Sequence, residues 1–233
     1  TRYIGVTGVQ TCALPISLQA LRPDLDADAP RQQLDGVEVI DWSTISPAIF
    51  GSLFQSVRDA ETRREMGEHY TSETNILRCI NDLFLNDFYK RVHDAWDSPQ
   101  LLKALRMELG QFNWLDPACG SGNFLVVAYK RMRDIELRII ARLQELDNKN
   151  SQLQLDGSLG LQVHLGQFHG IEIDEWSASI ARVAMFLADH QANLALEQIT
   201  GSAPNRFPLT ESASITTANA LKLEWSEICP MNG

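Results

Sequence analysis

Four cysteines occur in 233 residues, at Cys12, Cys79, Cys119 and Cys229, and no two form a Cys-x-x-Cys pair. Neither a zinc site nor a disulfide framework is therefore written into the chain. His164, His169 and His190 lack metal-ligand spacing, so no metal is expected. Positive charge is scarce: 20 Lys and Arg stand against 30 Asp and Glu, a net charge of −10. A free-standing nucleic-acid binder carries a basic surface, so any DNA-reading surface should be very local or lie elsewhere. No apolar run approaches a membrane span. No membrane partner is expected, and the chain reads as cytoplasmic; its oligomeric state is not legible. What is present is a composition 44% hydrophobic and 21% charged, enough for one domain with a core and a smaller satellite.

The first 16 residues stand apart. Val6 to Ile16, "VTGVQTCALPI", is the codon-by-codon translation of a common sequencing-library adapter, so residues 1–16 are expected to belong to no fold. Residues 17–40 are polar and rich in Pro and Asp, like a linker. Residues 41–110 form a helical segment. Ile45, Ile49, Leu53 and Phe54 sit near helical spacing. Ser72 is placed to cap a helix with Ile76, Leu77, Ile80, Leu83 and Phe84 on one face. Ser98-Pro99 opens another, with Leu101, Leu102, Leu105 and Leu109 inward.

Residues 111–233 read differently. "FNWLD" is a short strand ending at Asp116, and Phe124 to Leu146 keeps a 3.6-residue apolar period. Its Lys130, Arg131, Arg133, Arg138 and Arg142 read as a solvated face. Residues 147–166 form a polar connection, "FHGIEID" a second strand, Trp176 to Leu196 a helix, and "SITTANAL" a third strand. Strands alternating with helices predict a parallel α/β sheet, in which ligands gather at the carboxyl ends of strands. Asp116, Glu172 and Asn219 all fall at such ends.

Between the first strand and its helix lies "LDPACGSGNF", with two glycines one residue apart. A phosphate-binding P-loop requires a lysine directly after its last glycine; Asn123 stands there. A dinucleotide fingerprint requires a third glycine and an acidic residue about 20 positions on. Leu125 occupies the glycine position, and Glu172 lies 50 residues beyond Gly122. A ligand with an amino-acid tail and a nucleoside but no phosphate suits the loop better. Asp116 can accept from an ammonium group, Glu172 from both ribose hydroxyls, Ile173 can lie against an adenine face, and Asn219 can bond its edge. S-adenosylmethionine (AdoMet) is such a ligand.

"DPACGSGNF" resembles motif I of adenine-N6 DNA methyltransferases, "GIEID" their second motif and "TTANAL" their third. "MGEHYTS" resembles the upstream motif of the class that places cofactor contacts before motif I. Together with "DWSTISPAIFGSLFQ" and "FHGIEIDEWSASIARVAMFLADHQ", these blocks resemble the MmeI-like type II restriction–modification enzymes over roughly Asp41 to Pro230. The resemblance implies a partial Rossmann-like AdoMet-dependent methyltransferase sheet, its first three parallel strands with helices, preceded by a helical segment. It implies that His69, Tyr70 and Thr71 line the methionine end. Asp116, Pro117, Ala118, Cys119, Gly120, Gly122, Asn123 and Phe124 would surround the amino-acid tail. Glu172 would take the ribose, Ile173 the adenine ring, and Asn219 with Ala220 the adenine edge. Read on its own, Cys119 is a small packing residue. Double-stranded DNA would be met through parts of the parent absent here.

The family's catalytic motif, Asn/Asp-Pro-Pro-Tyr/Phe, is not in the chain; no Asn-Pro or Pro-Pro dipeptide occurs. No catalytic residue is therefore assigned. The expectation is a fragment holding the cofactor half of the enzyme, truncated before the catalytic motif and itself inactive. The alternatives are a non-catalytic AdoMet-binding or assembly module, or an RNA or protein methyltransferase sharing the first motifs.

Overall fold

The computed structural model describes residues 71–149, 161–201 and 212–230. The adapter-like segment, the linker and the helix expected from Asp41 to Val57 lie outside the described residues.

Ser72 caps the first helix as expected: its hydroxyl accepts from Asn75 N at 3.4 Å, and helix α1 runs Glu73–Ile80. It passes through a π-helical turn, Asn81–Leu85, into α2, Asn86–Asp94. The π turn inserts one residue and shifts the buried face. Ile76 and Ile80 are followed inward by Leu85, Phe88 and Val92, whereas Leu83 is 77% exposed. The placement of Leu83 on the apolar face is thus corrected, because it assumed an unbroken 3.6-residue period. Ser98 caps α3, Pro99–Leu109, with proline in the first turn. Leu102, Leu105 and Leu109 point inward, but Leu101 is 57% exposed and Arg106 takes a buried position instead.

Strand β1 is Trp114–Asp116, and α4 follows over Asn123–Lys149. The helix thus runs through the first three residues of the expected polar connection. A 3₁₀ turn, Leu165–Gln167, leads into β2, Phe168–Glu172. Helix α5 is Glu175–Thr200, capped at its start by Asp174 and closed by left-handed Gly201. Strand β3 is Ser214–Thr217, and a 3₁₀ turn, Ala220–Lys222, precedes the short α6, Trp225–Ile228.

The sheet is parallel in the order β1-β2-β3, with Asp116 opposite Gly170 and Glu172 opposite Thr217. Both crossovers are helical, which is how parallel neighbours are joined. Helices α4 and α5 pack against each other and against the sheet, and α3 packs on α4. Aromatic rings carry the core from the π turn through the sheet into α4. Phe84 lies 4.3 Å from Trp114, Trp114 stacks on Phe168, and Tyr129 meets Phe168 edge-on at 5.1 Å. Gln167 Nε2 donates to the carbonyls of Leu109 and Phe112, tying the end of α3 to the start of β2.

The expectation that all five basic residues of α4 form a solvated face fails at Arg133, which is 1% exposed. Its guanidinium donates to Val163 O at 3.1 Å and Asn193 Oδ1 at 2.9 Å. Arg142 is 12% exposed, its Nε on Trp96 O and its guanidinium paired with Asp97 and Glu145, whereas Arg131 stays one-third exposed in an ion pair and Arg138 lies over the Tyr89 ring. Among the described residues no helix is long and apolar enough to cross a membrane.

Candidate functional site

Three strand ends converge. β1 ends at Asp116, whose Oδ1 accepts from Ala118 N at 3.1 Å and turns the chain sharply. Cys119 N then donates to Ile171 O at 3.1 Å, which holds the loop against β2 after the strand itself has ended. Gly120 and Gly122 have φ of +53° and +83°, the left-handed region where a side chain is strained. Gly122 N donates to Cys119 O, and its own carbonyl starts α4 by accepting from Val126 N.

The two glycines serve different ends. A Cβ on Gly122 would lie 3.0 Å from Ala181 Cβ, so this glycine lets α5 pack beneath the loop. A Cβ on Gly120 would meet no atom within 4 Å, so here the backbone faces open space. Close packing explains the first glycine, and room for a ligand suits the second.

β2 brings Glu172 across the loop. Its Oε2 accepts from Gly120 N at 2.8 Å and its Oε1 from Asp174 N at 2.9 Å. Ala218 N, just past β3, donates to Glu172 O at 2.8 Å, so all three strand ends are joined through Glu172. Two carboxylates therefore stand on either side of one glycine loop. Burial raises the Asp116 carboxyl above its ordinary value, the like charge of Glu172 raises it further, and the Ala118 N–H opposes both.

The expected site residues from Thr71 onward can now be placed. Asp116, Ala118, Cys119, Gly120 and Gly122 share the loop with Pro117, Asn123 begins α4, and Phe124 is partly buried against the core. Cys119 is buried beneath the loop, and burial, with Asp116 and Glu172 adding to it, pushes its thiol up to about 12. It packs as a neutral thiol. Ile173 is 63% exposed directly after Glu172, an unusual position for so large an apolar side chain. Asn219 turns Oδ1 onto Leu221 N at 3.0 Å, and Ala220 O accepts from the Trp225 indole. His69 and Tyr70 lie outside the described residues. Thr71 is half-buried before the Ser72 cap. The Glu73–Arg131 pair sets that end of α1 about two turns along α4, roughly 12 Å from its start.

Two contributors escaped the sequence reading. A Cβ on Gly170 would come within 2.7 Å of Cys119 Sγ and 2.8 Å of Ile215 Cδ1, so only glycine lets loop, β2 and β3 meet. A lone glycine inside a strand was the available signal. Arg182 of α5 donates to Ile215 O and Thr217 Oγ1 at the end of β3, a contact no local pattern announces.

Comparison with known proteins adds the rest. Residues 92–233 match the family model of the MmeI DNA-methyltransferase domain. The chain is similar to DNA methyltransferase A of Bacillus subtilis, 39% identical over 197 residues, which is 84% of this chain and 22% of that protein. Its structure is similar to that of the type IIL restriction–modification enzyme MmeI solved in complex with DNA. The TM-score is 0.73 and the identity 42%, covering 81% of this chain and 25% of that one. The chain spans about a quarter or less of the length of these relatives.

Proposed function

The chain belongs to the family of MmeI DNA-methyltransferase domains, and from that membership we propose that it forms the AdoMet-binding part of an adenine-N6 DNA methyltransferase within a restriction–modification enzyme. One observation carries the reading: Asp116 and Glu172 flank a glycine loop whose Gly120 faces open space.

Bound AdoMet supplies a methyl group on a sulfonium centre, ready for attack by a nucleophile. The chain's own task is to hold and orient it. Asp116, carrying one oxygen not committed to Ala118, accepts from the ammonium of the amino-acid tail. Glu172 spends one lone pair of each oxygen on backbone N–H groups and keeps the others for the ribose hydroxyls. Ile173 covers one face of the adenine ring. Asn219, its oxygen committed to Leu221 N, offers Nδ2 to a ring acceptor such as N1. The shape fixed by these contacts excludes nucleotides with phosphates, since two carboxylates repel them. The groups that accept the hydrogens of the target amino nitrogen belong to a motif absent from these residues. The chain alone is therefore expected to bind the cofactor without methylating DNA, and double-stranded DNA is assigned to the parent protein.

Calorimetry with S-adenosylhomocysteine and its 2′,3′-dideoxy analogue tests the reading, using the full open reading frame that contains the chain. Glu172→Gln should cost about 1.5–3 kcal/mol for the first ligand, the size of a hydrogen bond to a charged group, and little for the second. Equal losses for both would remove Glu172 from the ribose. Digestion of DNA after transfer of labelled methyl should yield N6-methyl-2′-deoxyadenosine; label on cytosine would overturn the base assignment.

A further inference from the structure

The end of β3 carries Asn219 and is held by a cluster that the cofactor contacts do not include. Arg182 lies two turns into α5. Its Nη2 donates to Ile215 O at 2.9 Å and Thr217 Oγ1 at 3.3 Å, and its Nη1 reaches Ser179 Oγ at 3.4 Å and Glu175 Oε1 at 3.5 Å. Glu175 also bonds the Thr217 side chain, and that bond first, then Arg182, keeps its carboxyl below the usual range. Arg182, Glu175 and Thr217 thus close a triangle between the first turns of α5 and the last residue of β3. On the other side of β3, Ala218 N is fixed to Glu172 O at 2.8 Å. Among the described residues β3 pairs with β2 alone. The strand is four residues long, so few ladder bonds locate its end.

We infer that Arg182 is a positioning residue: by clamping Thr217 it sets the place of Asn219 relative to Glu172, and so selects adenine over other purines. The inference rests on the AdoMet reading above. Only Ala218 separates Thr217 from Asn219, so movement of one carries the other. An amide nitrogen facing N1 favours adenine, whose N1 accepts, over hypoxanthine, whose N1–H donates. That preference survives only while Asn219 stays within hydrogen-bond reach. Arginine suits the clamp because its planar fork meets a carbonyl, a hydroxyl and a carboxylate together, whereas a lysine ammonium cannot span all three.

The test measures affinities of S-adenosylhomocysteine and S-inosylhomocysteine in the full open reading frame. Arg182→Ala and Thr217→Val should lower the adenine-to-hypoxanthine preference by about tenfold, the value of one hydrogen bond. The affinity for the inosine ligand should stay put. Thr217→Ser, which keeps the hydroxyl, should retain the preference, and Arg182→Lys should recover part of it. A merely structural role would weaken both ligands alike, and that result, or an unchanged ratio in either variant, overturns the inference. If Arg182→Ala does not fold, the nearly isosteric Thr217→Val decides. Wild-type protein that binds neither ligand overturns the AdoMet reading and this inference with it; wild-type binding with no change in ratio overturns the inference alone.

Discussion

Two neighbouring glycines show how far one residue's surroundings decide its role. Gly122→Ala should destabilise by about 2–4 kcal/mol, because left-handed strain adds to overpacking against Ala181. Gly120→Ala should cost only about 1–2 kcal/mol, from the strain alone. Yet the second methyl would occupy the ligand's side of the loop, so cofactor affinity should fall at least tenfold in a protein that still folds. Urea unfolding and calorimetry on both variants separate the cases. Asp116 adds a pH dependence. Its folded carboxyl titrates above the ordinary value of 3.8, chiefly through burial. The folded chain therefore keeps a proton that the unfolded chain has lost. The stability this group contributes is present below the unfolded value and is lost as pH rises through the raised one. Asp116→Asn should accordingly raise the unfolding temperature of the ligand-free protein at neutral pH. The same change should abolish the ammonium contact. In the unmodified protein, cofactor affinity should decline on acidification sooner than an ordinary carboxylate would allow. A variant that loses stability at neutral pH would contradict this account of Asp116.

At the scale of elements, the π turn between α1 and α2 is the informative feature. Its extra residue moves the inward position from Leu83 to Leu85, with Phe84 still packed against the core, and Leu85 is then followed by Phe88 and Val92. Leu85→Ala should cost about 2–5 kcal/mol, as expected for emptying a core position. Leu83→Ala, at the surface, should change stability by no more than about 0.5 kcal/mol. Matched thermal unfolding curves for the pair would show whether the shift in face is correct. Reversed values would mean that an unbroken α-helix passes through Asn81–Leu85.

Across the whole domain, α3, α4 and the segment entering β2 meet at Glu136, which is fully buried. Its carboxylate accepts from Arg106 Nε at 3.1 Å, Gln162 N at 2.7 Å and Val163 N at 3.1 Å. Arg133 Nη1 stands 3.6 Å away. Removing one partner of such a cluster leaves buried charge uncompensated. Glu136→Ala should therefore cost about 3–5 kcal/mol. Since the start of β2 hangs from Val163, amide protons of Phe168 to Glu172 should exchange faster in that variant. Hydrogen exchange confined to the end of α3 would instead assign the cluster a purely local role.

Local patterns were enough to read the alternation of strands and helices, the turn after β1, and the carboxylates at its edges. Each depends on residues close in sequence: a cap, a glycine required by backbone sterics, a strand ending in Asp116 or Glu172. The same strand-end logic reached Ile173 and Asn219, and the family blocks added the expectation for His69, Tyr70 and Thr71. Periodicity misplaced Leu83, because a π turn is imposed by the need to bury faces on both sides of it. It placed Arg133 in solvent, because a guanidinium reads as exposed until its acceptors, Val163 O and Asn193 Oδ1, arrive from 30 and 60 residues away. Arg182 was silent for the same reason, and Gly170 offered only a lone glycine inside a strand: their meaning lies in contacts with β3 and with the loop after β1. The sequence by itself determined which chemical groups stand at the strand ends. Only the tertiary structure decided which distant side chains hold them there, since the partners of a buried charge or a missing Cβ are set by packing between elements.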